Sequence, residues 1–172
     1  MIKQASRHFI VAATLVAIQI VATASHSAVT ETTHGSWTVR CDSPDESEEH
    51  ECIMFQNLVL KTGGQPVLHF AIGIAPADNT PTVILSLPLG ISLPPGISIQ
   101  IDDGNKANFP VERCEPDGCR AGMKLRDATI EQLIAGNRLT ITFHDGERQP
   151  ITVPLSLDGF GESYRDLSED RH

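Results

Sequence analysis

The sequence has 172 residues, 13 lysines and arginines against 22 aspartates and glutamates, a net charge of −9 and four cysteines. That length suits one ordinary domain with room for a proper core. The acidic balance excludes the broad basic surface with which proteins meet nucleic acid or anionic lipid headgroups.

Met1 to His8 carries Lys3 and Arg7 and no acid, and Phe9 to Ala22 is apolar apart from Thr14 and Gln19. A basic start, an apolar run and then small residues form the pattern of a secretory signal peptide. The run is short beside the about 20 apolar residues of a bilayer-spanning helix, which counts against an uncleaved anchor. Ala22-Thr23-Ala24 is an A-x-A site, so residues 1–24 are expected to be removed, with Ser25-His26-Ser27 as a second option. No cysteine stands at either junction, so a lipoprotein anchor is not expected. Loss of Lys3 and Arg7 leaves 11 bases against 22 acids, a net charge of −11. No later stretch is long enough to span a membrane, so the mature chain is expected in the periplasm or outside the cell, including a place at the outer membrane held by contacts.

Residues 25–35 are small and polar and read as a flexible lead-in to a domain over 36–168, with a polar tail at 169–172. Trp37, Val39 and Cys41 alternate with polar residues, which predicts a half-buried first strand. Asp42 to Glu51 is an acidic loop, and Ile53 to Leu60 a second strand. After Gly63-Gly64, the run Val67 to Ala75 is apolar or small on both faces, as in a central strand. Thr82 to Leu87 is a fourth strand. Pro88, Pro94 and Pro95 then lack backbone donors and predict an irregular crossover. Ile97, Ile99 and Ile101 alternate cleanly, Asp103-Gly104-Asn105 turns the chain, and Ala107 to Cys114 returns. Ala121, Met123 and Leu125 predict a strand with Arg120, Lys124 and Arg126 outside. Asp127 is expected to cap a helix over Ala128 to Ala135 with a buried stripe of Ile130, Leu133 and Ile134, stopped at Gly136-Asn137. Leu139 to Phe143 and Ile151 to Leu157 are the last strands, and Phe160, Tyr164 and Leu167 stand at helical spacing. Nine short strands with one or two short helices predict a mainly β fold, an antiparallel β-sandwich or barrel-like single domain.

All four cysteines, Cys41, Cys52, Cys114 and Cys119, follow the expected signal, and an even count in an exported chain reads as disulfides. Three pairings are possible. Cys41 with Cys52 and Cys114 with Cys119 are favoured, since each couple is close in sequence and brackets turn-forming residues such as Pro116-Asp117-Gly118. Each such bond is worth nearer about 2 than 4 kcal/mol because it closes a short loop. The spacing is not that of zinc knuckles, and no thioredoxin-like C-x-x-C is present.

No Gly-x-Ser-x-Gly elbow, H-E-x-x-H pair or P-loop occurs, so no catalytic, cofactor-binding or metal residue is assigned and no cofactor is expected. The acids around His50 lack calcium-loop spacing and read as a solvated loop. Asp102 and Asp103 read as a turn rather than an acid-base pair, and His69 and His144 are lone histidines. Arg120, Lys124 and Arg126 read as a protected sheet edge, with an anion or acidic-partner site as the lesser use.

Trp37-Thr38-Val39-Arg40-Cys41-Asp42, then Cys52-Ile53-Met54-Phe55-Gln56, then Leu87-Pro88-Leu89-Gly90-Ile91-Ser92-Leu93-Pro94-Pro95-Gly96, the Cys114 to Cys119 turn with Ala121, and Leu155-Ser156-Leu157-Asp158-Gly159-Phe160 follow one another. This order resembles the invasion-associated locus B family from Trp37 to about Leu167. The resemblance implies a small exported α-proteobacterial envelope protein, linked in pathogenic members to host-cell entry and, in free-living ones, to a general envelope role. It carries over no catalytic residue or cofactor, only the four cysteines as disulfides. The expectation is therefore a non-enzymatic envelope protein that binds a host or envelope macromolecule, with no nucleic acid and no membrane-spanning segment after cleavage. The alternative is a periplasmic small-molecule or glycan-binding module, which would display exposed aromatics.

Overall fold

A computed structural model of the chain describes residues 28–43, 51–59, 66–75 and 77–169. The expected signal peptide, the Gly63-Gly64 turn and the acidic loop up to His50 lie outside the described residues. The strands, in order, are β1 (Ala28–His34), β2 (Trp37–Ser43), β3 (Glu51–Val59), β4 (Pro66–Ala75), β5 (Thr80–Leu87), β6 (Ile97–Ile101), β7 (Lys106–Phe109), β8 (Arg113–Glu115) and β9 (Gly118–Lys124). Helix α1 (Asp127–Ala135), β10 (Arg138–His144), β11 (Pro150–Ser156) and helix α2 (Phe160–Glu169) complete the chain.

Two antiparallel sheets face each other: a seven-stranded sheet in the order β1-β2-β3-β4-β5-β9-β8 and a four-stranded sheet in the order β11-β10-β6-β7. Both keep open edges, so the fold is a sandwich and not a closed barrel. The period-2 patterns feed one core between the sheets. The large sheet contributes Trp37, Val39, Met54, Phe70, Ile72, Val83, Leu85 and Ala121, and the small sheet Ile97, Ile99, Leu139, Ile141, Phe143 and Leu155. Helix α2 fills the area that four strands cannot cover, bringing buried Phe160 and Leu167 against β2 and β3.

Four expectations need correction. Residues 28–34 are no lead-in but strand β1, paired along its whole length with β2 from Ala28↔Ser43 to His34↔Trp37. Its threonines are strand formers that apolar alternation does not detect. The run from Ala107 to Cys114 is two strands, because Pro110 cannot donate to a ladder and the chain leaves the small sheet there for the large one. Asp127 is the first residue of α1 rather than its cap; Arg126 holds the N-cap position and makes no side-chain capping bond. Ile134 is 50% exposed, since α1 turns only Ile130 and Leu133 inward.

Both disulfides join directly opposed strand partners: Cys41 to Cys52 across β2 and β3, and Cys114 to Cys119 across β8 and β9. The two ends of the domain also meet. The turn between β1 and β2 lies on the turn before α2, with Gly35 at φ +52° and Gly159 at φ +81°. The Ser36 amide donates to the Asp158 carbonyl at 3.0 Å, and His34 Nε2 pairs with Asp166 Oδ2 at 2.7 Å. Beneath this seam Trp37, fully buried, stands edge-on to Phe70 at 5.7 Å and to Phe160 at 5.1 Å and donates its indole N–H to the Ser156 carbonyl at 3.0 Å.

Candidate functional site

A sandwich has two outer faces, and here they differ in chemistry. On the small sheet the register aligns Pro154, Thr140, Gln100 and Lys106 in one row and Thr152, Thr142, Ser98 and Asn108 in the next. That face is hydroxyl- and amide-rich and suits water. On the large sheet the middle row runs Thr33, Thr38, Phe55, Ala71, Ile84, Gly122, with Ile84 44% exposed. The flanking row on one side is Glu31, Arg40, Ile53, Gly73, Thr82, Lys124; on the other it is Asn57, His69, Ser86, Arg120, Arg113. Neighbouring strands sit about 4.8 Å apart, so Phe55, Ala71 and Ile84 line up as an apolar row across three strands, with Ile84 exposed, Phe55 partly exposed and the small Ala71 between them buried. Its neighbours along the strands are Ile53, Gly73 and Thr82 on one side and Asn57, His69 and Ser86 on the other. Charges stand beyond its two ends, Glu31 and Arg40 past Phe55 and Lys124, Arg120 and Arg113 past Ile84. An apolar row closed by charges at its ends is a candidate contact surface.

A groove of about 370 Å³ opens over the stripe's end, lined by Thr82, Ile84, Glu112, Arg113, Arg120 and Gly122 among others. Gly122 has no side chain to fill it, and the Glu112 carboxylate leans over it, 3.0 Å from where a Cβ would stand. The rim cations are held by local acids. Arg120 Nη2 donates to Asp117 Oδ2 at 2.6 Å, Lys124 Nζ to Asp78 Oδ2 at 2.5 Å, and Arg40 Nε to Asp42 Oδ1 at 3.1 Å. The rim is therefore charged in both signs and nearly balanced, unlike the strongly acidic chain as a whole. Asp78 lies below the ordinary carboxylate range, first through its bond from Lys124 and then through those from Thr80.

His69 is half-buried in this face. Its Nδ1–H donates to Asn57 Oδ1 at 2.5 Å, and its ring lies against Phe55 with centroids 5.5 Å apart. Burial first, and then the charge of Arg120, hold it below its ordinary value of 6.5. The folded chain thus keeps His69 neutral where the unfolded chain would take a proton. Its contribution to stability falls as pH drops below about 6.5. His69→Gln is expected to flatten the loss of stability between pH 7 and pH 5, read as urea midpoints; an unchanged slope would show that His69 carries none of it.

The other residues singled out in the sequence take structural roles. Asp102, at φ +45°, accepts from the backbone amides of Asn137 at 3.1 Å and Arg138 at 3.0 Å, tying the β6 turn to β10. It does not converge with Asp103 on a common ligand. His144 is on the small sheet, away from His69, and Arg126 stands at the start of α1 rather than beside Arg120 and Lys124. The four cysteines are all disulfide-bonded. Among the described residues no group of three or more His, Cys, Asp or Glu could hold a metal, and no helix is long and apolar enough to cross a membrane. A second depression of about 400 Å³, between α1 and α2, is lined by Asn137, Asp158, Glu162 and Arg165 and belongs to the seam.

Sequence reasoning missed the stripe. Strand β4 is largely apolar or small on both faces, while Phe55 and Ile84 stand singly among Asn57, Thr82 and Ser86 on β3 and β5, and only the cross-strand register brings the three together.

Comparison with known proteins gives a consistent result. A model of the family described as "Invasion associated locus B (IalB) protein" matches residues 37–168. Invasion protein B homologs from two strains of Brucella abortus, 2308 and 9-941, are each 30% identical over 130 residues, covering 75% of this chain and 73% of theirs. The crystal structure of invasion associated protein b from Bartonella henselae superposes with a TM-score of 0.71 at 22% identity, over 81% of this chain and 95% of that one.

Proposed function

This chain belongs to the invasion associated locus B family, and from that premise we propose that it is an exported envelope protein that acts by binding another macromolecule rather than by catalysis. The observation that carries the reading is the outer face of the large sheet, where the Phe55–Ala71–Ile84 row runs between charges at its two ends, Arg40 on β2 and Arg120 and Lys124 on β9. Export is supported by the signal-like first 24 residues and by two disulfides, bonds that persist in an oxidising compartment. The partner is a protein or envelope component of the periplasm, the outer membrane or a host surface. The glycan-binding alternative is disfavoured, because Trp37 is fully buried and Tyr164 stacks on Phe160 with centroids 6.2 Å apart, leaving neither as a sugar platform.

The test compares the two outer faces. A photocrosslinking residue at Ile84 is expected to yield a discrete adduct in the native bacterium, and one at Thr142 on the small sheet none. Ile84→Asp should abolish capture measured from a second probe at Thr82 while changing stability by less than about 1 kcal/mol, as for an exposed position. Equal labelling from both faces, or none from Ile84, would sink the proposal.

A further inference from the structure

The two sheets have four edges among the described residues, and three are blunted. Strand β11 carries Pro150 and Pro154, β7 is four residues long with Lys106 and is ended by Pro110, and β8 is three residues long, charged at Arg113 and Glu115 and followed by Pro116. Prolines, lysines and shortness are the devices that keep edges from pairing. Strand β1 has none of them. It runs seven residues as Ala-Val-Thr-Glu-Thr-Thr-His, β-branched at four positions, with Glu31 as its one acid and no lysine, arginine or proline.

The register fixes which backbone groups this edge offers. Cys41 and Cys52 are directly opposed with Cα atoms 4.1 Å apart, close to the about 4.5 Å of a non-hydrogen-bonded pair rather than the about 5.5 Å of a bonded one. Antiparallel strands bond alternately to either side, so Cys41 exchanges its bonds with Thr30 on β1. Thr30, Thr32 and His34 therefore bond inward to β2, and Val29, Glu31 and Thr33 point their N–H and C=O groups outward.

We infer that the outer edge of β1 captures an extended strand of another protein, added antiparallel, with a lysine or arginine opposite Glu31. A second copy of this chain is the poorer occupant. The fullest antiparallel self-pairing of Val29, Glu31 and Thr33 sets Glu31 against Glu31, and like charges directly opposed destabilise a pair. A basic residue there gains from Glu31 and from the acidic chain behind it. This edge is a separate surface from the Phe55–Ile84 stripe.

The probe is the peptide Thr-Val-Thr-Lys-Thr-Val-Thr, with a version bearing glutamate at its centre, titrated into isotope-labelled oxidised protein expressed from its whole sequence. Amide exchange at Val29, Glu31 and Thr33 is expected to slow with the lysine peptide, which should bind about fivefold more tightly than the glutamate peptide. Glu31→Lys should reverse that order, and Ile84→Asp should leave it unchanged, which separates failure of this inference from failure of the stripe. Circular dichroism confirms that each variant is folded. The inference is overturned if neither peptide protects those amides, if both bind equally, or if the protein alone sediments as a dimer with the three amides already protected.

Discussion

Trp37→Ala is expected to cost about 3–5 kcal/mol of stability, the range for deleting a fully buried large aromatic. The indole fills the space between Phe70 and Phe160, edge-on to both, and those contacts have no replacement when it is removed. The expected loss is one of volume, not of polarity. The Ser156 carbonyl that accepts the indole N–H also accepts from Gln56 Nε2 at 3.0 Å, so it keeps a donor when the indole is gone. Trp37→Phe should therefore cost much less than alanine, its hydrogen-bond share being about 1 kcal/mol. Urea unfolding followed by circular dichroism is the measurement, because Trp37 is the sole tryptophan and fluorescence disappears with it. Equal costs for the two variants would mean that the hydrogen bond, and not the packing, anchors the residue.

Gly159→Ala has the second large expected effect. A Cβ on Gly159 would fall on the His34 carbonyl oxygen, and one on Gly35 would stand 2.5 Å from the Asp158 carbonyl oxygen, so each turn occupies the space a side chain would need on the other. Backbone cannot step aside as a flexible side chain can. Left-handed backbone at an alanine costs about 1–2 kcal/mol, and forced overpacking adds about 1–3 kcal/mol. Gly90 supplies the control: its φ is +87°, near the +81° of Gly159, yet nothing lies within 4 Å of its Cβ position. Gly90→Ala should show the backbone cost alone. Thermal unfolding of the two variants reads the steric cost of the seam as their difference, and equal melting temperatures would mean that the turns can part freely.

How far the sequence reveals this depends on which physical signal a residue carries. Alternation exposed the half-buried strands, from Trp37-Val39-Cys41 to Val153-Leu155, because one face of each is core and the other is water. It was silent at β1, where threonine and glutamate occupy both faces and strand formation follows from pairing with β2. It was ambiguous at β4, where both faces are largely apolar or small, and it passed over Phe55 and Ile84, which stand singly among polar neighbours on β3 and β5. The inner set, Met54, Phe70 and Leu85, and the outer set, Phe55, Ala71 and Ile84, separate only once the strands are in register. The basic trio broke up for a related reason. Arg120 and Lys124 find Asp117 and Asp78 as neighbours through a turn and a loop, while Arg126 leaves the strand to start a helix. The candidate site is thus a property of the assembled sheet, and no short stretch of sequence encodes it.

The seam between the β1–β2 turn and the start of α2 also sets a time. Trp37 and Ser156 are 119 residues apart, and His34 and Asp166 are 132 apart. At a synthesis rate of about 5–20 residues per second, β2 waits on the order of ten seconds for the segment that roofs it. Through that interval the inner face of the large sheet has neither Phe160 nor the Ser156 carbonyl, and the first strands made are the last to be sealed. A chain whose core closes only when α2 arrives stays incompletely packed until nearly the whole of the domain has been made.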